Sequence, residues 1–316
     1  MIVFSAGLKL RNCQIYVSDD DGDNLFCVTG SSDLEWCQGP ILSPDRKHLA
    51  FYSVSLPNLT QNHHIINLDG SNLHPLPVVL STNMIYSWLP NGKLFFISER
   101  KYWTAYPDGS NKQHETFLDG YTVMGISSDG HLAVITKGKG IQKQIFVADL
   151  EGRTIRSLFT YGTDMGQTPI LYPVALSPDN QKIACVGGRE DEIWVVNVDG
   201  SNSHMVAEAD YFWLQFNWSP DSKHIVFVKH LDNDDPMGVH GGIHIVGLDS
   251  LEQRFIADVY KPGGKWCWSR DGKRIVYTTL LSDSLQIRST DMQGLNRRIQ
   301  DVGELGFDDI YDLVTT

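Results

Sequence analysis

A short hairpin motif recurs along the chain and constrains the fold more than any single residue does. Its six copies are ILSPDRKHLAF (41–51), SWLPNGKLFF (87–96), GISSDGHLAV (125–134), ALSPDNQKIAC (175–185), WSPDSKHIVF (218–227) and WSRDGKRIVY (268–277). In each copy a turn signal separates two short apolar runs, which is the pattern of two strands joined by a tight turn. The copies therefore form an internal repeat.

A second kind of hairpin follows each copy of the first. Its turns are of the Asp-Gly type, and its six copies are IINLDGSNLHPL, TAYPDGSNKQHETF, FVADLEGRTIRSLF, VVNVDGSNSHMV, HIVGLDSLEQRFI and QIRSTDMQGLNRRI. The opening segments IVFSAG (2–7) and QIYVSDDDGDNLFCV (14–28) match the return strand of a first hairpin and then a whole second hairpin. The chain thus holds one more second hairpin than first hairpins.

This mismatch predicts how the repeat closes. A ring of four-stranded blades leaves unpaired sheet edges unless the first and last segments share a blade. The tail FDDIYDLVTT (307–316) can supply the missing strand. Dividing 316 residues by seven gives roughly 45 per unit, a usual blade length. We predict an all-β fold, a seven-bladed β-propeller of antiparallel blades forming one domain over residues 1–316, with six blades as the alternative.

Charge and cysteine usage exclude some function classes. Lys and Arg total 26 against 38 for Asp and Glu, a net charge of −12 that argues against a nucleic-acid partner. The five cysteines are odd in number and form no CxxC pair, as expected in a reducing compartment. No run is long enough to span a bilayer and no signal peptide is visible, so we expect a cytoplasmic protein, or a periplasmic or secreted one if a leader was removed.

The paired hairpins, [W/L]SPD followed by I-x-[V/N]-x-D-G-S-N, resemble the TolB-type, WD-like propeller repeat over essentially the whole chain. Departures are modest: Asn91 replaces the turn Asp, Ser128 and Arg270 replace the Pro, and Ser250 replaces the turn Gly. The resemblance implies the fold. It does not choose a function, because this repeat serves scaffolds, transport-assembly factors, peptidase gating domains and a few polysaccharide lyases.

Loop lengths indicate which face binds. One set of turns is uniformly short, whereas the connections on the other face vary and include residues 159–173 and 229–242. Long loops on a rigid scaffold usually carry binding chemistry. We therefore predict a ligand-binding long-loop face, whose aromatic candidates are Trp36, Tyr161, Tyr172, Tyr211, Phe212, Trp213 and Trp266. Of these, we expect Trp213 and Trp266 to be exposed; packing between blades is the alternative for each.

Acidic and histidine clusters raise the possibility of a metal. Asp232, Asp234, Asp235 and His240 lie in one long insertion and are ligand-binding candidates, with a solvated acidic loop as the alternative. The weak metal candidates are His63, His64, His230 and His240, with scattered surface histidines as the alternative. We expect His63 and His64 to close a long connecting loop, SVSLPNLTQNHH (53–64). The cluster Asp19, Asp20, Asp21 and Asp23 occupies a second-hairpin turn, so we predict a turn and no calcium loop. We expect no cofactor, although a divalent metal is possible.

These features favour a non-enzymatic, monomeric binding or scaffold propeller. Its partner would be a protein or peptide, with a basic segment suiting the charge best. No membrane partner is expected. The sequence lacks G-x-S-x-G, H-E-x-x-H and P-loop motifs, so no catalytic residue is predicted. The alternatives are a metal-dependent carbohydrate-active enzyme similar to uronate lyases, and a carbohydrate-binding lectin.

Overall fold

The fold is all-β. The computed structural model describes residues 1–8, 11–20, 22–55, 58–76, 85–127, 129–138, 144–160, 171–187, 192–209, 216–230, 240–260, 265–281, 284–301 and 309–315. Seven four-stranded antiparallel sheets account for the strands, and these are the seven blades of a β-propeller. The seven-blade prediction is confirmed and the six-blade alternative is wrong.

The chain divides into two compact units. The first contains Met1–Thr116, Gly264–Asp291 and Leu295–Thr316, and the second contains Phe117–Gly263 and Met292–Gly294. That residues 1–316 form one domain stays a prediction. No helix in the described part of the chain is long and apolar enough to cross a membrane.

Four sheets belong to the first unit, and we number the sheets in chain order. The first sheet has the order β28-β1-β2-β3, the third β11-β10-β9-β8, and the second and seventh follow chain order. The strands are β1 (Ile2–Leu8), β2 (Arg11–Ser18), β3 (Phe26–Cys27), β4 (Cys37–Leu42), β5 (His48–Ser55), β6 (Thr60–Asn67), β7 (His74–Pro75), β8 (Ile85–Trp88), β9 (Leu94–Ser98), β10 (Lys101–Ala105), β11 (Gln113–His114), β24 (Trp266–Trp268), β25 (Arg274–Leu281), β26 (Ser284–Asp291), β27 (Asn296–Asp301) and β28 (Asp309–Thr315).

Three sheets, the fourth to the sixth, belong to the second unit, and each follows chain order. Their strands are β12 (Thr122–Ile126), β13 (Leu132–Lys137), β14 (Gln144–Asp149), β15 (Thr154–Thr160), β16 (Leu171–Leu176), β17 (Lys182–Gly187), β18 (Glu192–Asn197), β19 (His204–Glu208), β20 (Phe216–Trp218), β21 (His224–His230), β22 (His240–Gly247) and β23 (Gln253–Tyr260). A 3-10 turn, Thr116–Leu118, precedes them.

The C-terminal strand completes the first sheet. Strand β28 pairs antiparallel with β1, with Ile2 opposite Thr315 and Phe4 opposite Leu313. The pairing covers an edge of β1 that would otherwise expose unpaired backbone groups. The predicted closure by the tail is confirmed.

The first-hairpin turns share one hydrogen-bond pattern. In the second sheet, Ser43 Oγ donates to Asp45 Oδ1 at 2.6 Å, and the same oxygen accepts the N–H of Lys47 at 3.1 Å. The N–H of Arg46 donates to Ser43 O at 2.9 Å, and Arg46 has a φ of 60°. Equivalent Ser–Asp pairs recur at 127/129, 177/179, 219/221 and 269/271. The Asp of the repeat therefore serves first to hold a turn.

Apolar residues of neighbouring sheets form the cores. In the first unit one core joins the first and second sheets, another the second and third, and another the first and seventh. Two of the tryptophans that begin first-hairpin turns also bridge sheets. Trp88 Nε1 donates to Ile41 O at 3.0 Å in the first unit, and Trp218 Nε1 donates to Ala175 O at 3.0 Å in the second.

Candidate functional site

Most of the predicted long-loop face lies outside the described residues. Among the candidates, Tyr161, Tyr211, Phe212, Trp213, Asp232, Asp234 and Asp235 are all outside them. Only the backbone is described for Tyr172, His230 and His240, which lie on strands β16, β21 and β22. The prediction that this face binds a ligand stays a prediction.

The two remaining aromatic candidates are not open platforms. Trp266 is only 8% exposed, at the start of strand β24 and opposite Tyr277. The expectation that Trp266 is exposed is wrong. Trp36 is half-buried just before β4, with a left-handed φ of 41°.

The histidine pair at 63 and 64 differs from the sequence expectation. Strands β5 and β6 extend towards each other, so the pair lies inside β6 and not in a loop. Both side chains are buried, and the expectation of surface histidines is wrong here. The His64 Nε2 atom lies 2.8 Å from Ser53 Oγ, and its ring stacks on Phe51 at 5.2 Å. These contacts occupy His64 within the sheet.

His63 is a buried base. It is 7% exposed, and neither ring nitrogen has a hydrogen-bond partner in the part of the chain that the structure describes. Burial, reinforced by the neighbouring His64, lowers the pKa of His63 to about 4. Among the described residues, no three His, Cys, Asp or Glu side chains are grouped to hold a metal ion. The structure therefore gives the metal hypothesis no site at this pair.

The acidic run near residue 20 forms a turn. Asp19 Oδ1 accepts the N–H of Asp23 at 2.7 Å, and Gly22 N–H donates to Asp19 O at 3.2 Å. Asp21 lies outside the described residues. The turn prediction is confirmed for the described part of this segment, because Asp19 caps it in the way that turn aspartates do.

A groove opens between the second and third sheets, both of the first unit, on the face that carries the short turns. Its volume is about 830 Å³, which is within the usual range for ligand pockets. We call it the open junction. Its lining residues are Ser43, Pro44, Asp45, His48, Ile65, Asn72, His74, Trp88, Pro90, Asn91, Gly92, Tyr106, Pro107, Asp108 and Ser110.

The neighbouring junction, between the first and second sheets, is filled on this face. We call it the closed junction. Leu68 and Leu73, which flank the second-hairpin turn of the second sheet, pack against its buried core. A β-carbon on Gly70 in that turn would lie only 3.0 Å from Val28 O.

Two substitutions within the repeat explain why one junction is open. Equivalent hydrogen bonds, from the N–H of Asn67 to Ser71 O and from the N–H of Tyr106 to Ser110 O, both at 3.0 Å, align the two turns. In this alignment LDGSNL of the second sheet becomes PDGSNK of the third. Pro107 and Lys112 therefore replace the two leucines that fill the closed junction. Lys112 Nζ instead lies 4.6 Å from the centre of the Trp103 ring.

The groove is lined by two carboxylates that stay ionised. Ser43 hydrogen bonds to Asp45, and Ser110 hydrogen bonds to Asp108, and each contact lowers the pKa of the carboxyl below its usual value. Hydrogen bonds to the charged form are the physical cause. His48 Nδ1 lies 3.4 Å from Asp45 Oδ1. None of the described residues that line the groove is a lysine or an arginine.

Aromatic residues form part of the groove without offering a large flat surface. Trp88 is 6% exposed, and its indole N–H donates a hydrogen bond to Ile41 O. Tyr106 is half-buried, with Lys93 Nζ lying 5.5 Å from its ring centre. Lys93 also donates to Asn111 O at 3.4 Å, which anchors its amine beside the groove. The aromatic rings therefore form part of the groove wall but offer little exposed ring surface on which a ligand could stack.

Sequence reasoning missed the open junction because it compared loop lengths between faces and did not compare equivalent residues within the short turns. The signal was present in PDGSNK, the one Asp-Gly-Ser-Asn turn that combines Pro and Lys at the two flanking positions. The corresponding turn of the fifth sheet, VDGSNS, keeps an aliphatic first residue, and Val198 packs against the core of the second unit.

The fold is similar to several solved β-propeller structures. An oligogalacturonate lyase in complex with manganese matches with a TM-score of 0.65 and 14% identity, over 86% of this chain and 82% of the lyase. TolB from Acinetobacter baumannii matches with a TM-score of 0.57 and 13% identity, over 99% of this chain and 65% of TolB. A prolyl endopeptidase matches with a TM-score of 0.64 and 12% identity, over 94% of this chain and 49% of the peptidase.

Identities this low establish the fold and leave the activity open. No protein-family model matches the sequence, and no curated protein matches it. The predicted resemblance to the TolB-type repeat is confirmed for the fold: this chain is similar in architecture to TolB and to other β-propeller proteins.

Proposed function

We propose that the chain is a non-enzymatic binding propeller that recognises a segment of a partner protein, and that the open junction is a docking site for that segment. The observation that carries this proposal is the groove of about 830 Å³ left by Pro107 and Lys112 where leucines fill the neighbouring junction. A groove of this size accommodates a few side chains of an extended peptide.

The rigidity of the groove supports recognition. Its rim consists of hydrogen-bonded turns, and three of the residues that line it, Pro44, Pro90 and Pro107, have a fixed φ. Since little of this surface needs ordering on binding, little conformational entropy is lost. A preformed groove of this kind suits a flexible partner segment better than a large flat protein surface.

A carbohydrate ligand is less well supported by the groove. Sugar rings stack on open aromatic faces, but Trp88 is buried and Lys93 lies over Tyr106. A carbohydrate-active enzyme or lectin stays the alternative for the long-loop face, whose candidate residues lie mostly outside the described chain. A second docking surface on that face is compatible with the proposal.

Selection from a random dodecapeptide display library tests the proposal. The intact chain is compared with a Pro107→Leu, Lys112→Leu variant, which restores the leucines of the closed junction. Ser203→Leu is the matched control, because it adds a leucine to the exposed equivalent position of the fifth-sheet turn. We expect peptides enriched by the intact chain and by the control but not by the double variant.

Two results would overturn the proposal. One is enrichment of the same peptides by the intact chain and the double variant, which would place binding elsewhere. The other is no enrichment by any of the three proteins. Thermal unfolding of all three, compared beforehand, separates a lost groove from a lost fold.

A further inference from the structure

We infer that the open junction binds an arginine side chain, and that the partner segment is therefore basic and centred on arginine. This inference rests on the proposed function and names its ligand chemistry. It follows from the charges that line the groove, from the atoms those charges still offer, and from the residues placed around them.

The lining charges are of one sign. The groove has two carboxylates, Asp45 and Asp108, and no lysine or arginine is among the described residues that line it. The whole chain carries a net charge of −12, so the long-range field also attracts a cationic segment. An acidic segment would be repelled by these carboxylates, because the described groove lining holds no lysine or arginine to neutralise it.

Each carboxylate holds its turn through one oxygen. Asp45 Oδ1 takes the hydrogen bonds of Ser43 Oγ and Lys47 N–H, and it is also the oxygen in contact with His48. Asp108 Oδ1 accepts the N–H of Ser110 at 2.9 Å. The Oδ2 oxygens take no part in these contacts. A carboxylate whose position is fixed through Oδ1 presents Oδ2 to a ligand with little loss of freedom.

Arginine fits these features better than lysine. A guanidinium carries five N–H donors in a planar fork whose geometry suits a carboxylate, whereas an ammonium is a compact and strongly hydrated charge. The weaker hydration of guanidinium lowers the cost of entering a partly apolar groove.

Two lysines beside the groove are already engaged. Lys93 lies over Tyr106 and donates to Asn111 O, and Lys112 lies over Trp103. Neither is a lining residue of the groove. They weaken the local negative field, so we expect a modest affinity for one arginine that grows when a segment adds backbone contacts.

The test uses N-acetyl-arginine methylamide as the probe, titrated into isotopically labelled protein at near-physiological salt. The reporting signals are the backbone amides of Lys47 and Ser110, which donate to the two aspartates. The uncharged analogue N-acetyl-citrulline methylamide has the same shape. We expect saturable shifts of both amides with a dissociation constant on the order of millimolar, and at least about tenfold weaker binding of citrulline.

Matched charge variants complete the test. Asp45→Asn with Asp108→Asn should weaken arginine binding by at least about tenfold. The control, Asp221→Asn with Asp199→Asn, also removes two negative charges, but from turns of the same two types in the second unit. It should change the affinity for arginine by less than about twofold. The third-sheet turn already holds Asn91, whose Oδ1 accepts the N–H of Lys93 at 3.0 Å, so asparagine maintains this turn type.

Equal binding of citrulline and arginine would overturn the inference, as would equal losses in the two double variants, because either result means general attraction to an acidic protein. The proposed function fails separately. If displayed peptides need the open junction but arginine does not bind there, only the arginine inference is wrong. If arginine binds but no displayed peptide does, the peptide-docking function is wrong and the arginine site stands.

Discussion

The closed and open junctions of the first unit are built from the same repeat, yet one is packed and the other is a groove. In the closed junction, Leu68 and Leu73 reach from the turn LDGSNL to the core shared with the first sheet. In the open junction, the equivalent Pro107 lines a groove and Lys112 lies over Trp103. Both turns keep the backbone hydrogen bonds that close them, but the bond from Leu68 N–H to Lys47 O has no counterpart at Pro107, which lacks an N–H.

This difference separates two roles that the repeat combines. Backbone hydrogen bonds and the turn aspartates determine the shape of each turn, while two flanking side chains decide whether the junction is filled. A binding site can therefore arise in one junction without altering the strands that support it.

The largest effect should follow removal of residues 309–316. Strand β28 pairs along β1, and Leu313 lies in the core between the first and seventh sheets. Its loss exposes the β1 edge and that core. Both involve the first sheet, which forms one side of the closed junction. We expect the melting temperature to fall by more than about 10 °C, measured by circular dichroism. Unchanged melting would mean that β28 contributes little to the first sheet.

Opening the closed junction should cost less but remain large. Leu68→Pro with Leu73→Lys copies the open-junction residues into the second sheet. We expect the free energy of unfolding to fall by about 2–4 kcal/mol, because two apolar side chains leave a packed core and the proline also removes the hydrogen bond from Leu68 N–H to Lys47 O. Denaturant titration measures this change. Val198→Ala in the second unit is the control, because it measures how much stability is lost when one such turn residue is shortened. If the double variant loses no more stability than this control, the leucines do not fill the junction.

An intermediate effect should depend on pH through His63, on the strand β6 that also carries the groove residue Ile65. The folded chain keeps His63 neutral down to about pH 4, whereas the unfolded chain takes up the proton near the ordinary pKa of 6.5. The unfolded state therefore binds more protons between these values, and the free energy of unfolding falls as the pH drops from 6.5 towards 4.

The His63→Phe variant isolates this contribution. We expect the loss of stability between pH 7 and pH 4.5 to be smaller in the variant by about 1–2 kcal/mol, measured by denaturant titration at both pH values. Comparing slopes removes any constant packing effect of the larger ring. The same pH dependence in both proteins would show that His63 is protonated normally in the fold.

The smallest effect on stability should come from filling the open junction. Pro107→Leu with Lys112→Leu gains apolar contacts and loses the Lys112–Trp103 interaction, so we expect a change within about 1 kcal/mol. The Ser203→Leu control should change even less, because its side chain is exposed. A large loss of stability in the double variant would mean that Pro107 and Lys112 are needed for folding, and that the two junctions are not interchangeable.

The sequence predicted the features that repeat. Six first hairpins, seven second hairpins and a surplus terminal strand were sufficient for seven sheets and for the pairing of β28 with β1. The SPD and DGSN motifs predicted turns because Asp bonds to nearby backbone groups wherever it occurs in them. Periodicity succeeds here because each copy is independent support for the same local structure.

Features that occur once were not predicted. The run SVSLPNLTQNHH contains a Pro and several polar residues, which suggested a loop, yet its ends pair as β5 and β6 and bury both histidines. Trp266 was expected at the surface because it begins a strand, but it is only 8% exposed. The open junction depends on two side chains whose effect is visible only when their equivalents are seen in contact with a core.

The central claim is that the open junction binds a partner segment. It is tested most directly by the dissociation constant of one displayed peptide, selected with the intact chain, for the intact chain and for the Pro107→Leu, Lys112→Leu variant. We predict at least about tenfold weaker binding by the variant, with Ser203→Leu unchanged. Equal dissociation constants for the intact and filled proteins would contradict the claim and direct attention to the long-loop face.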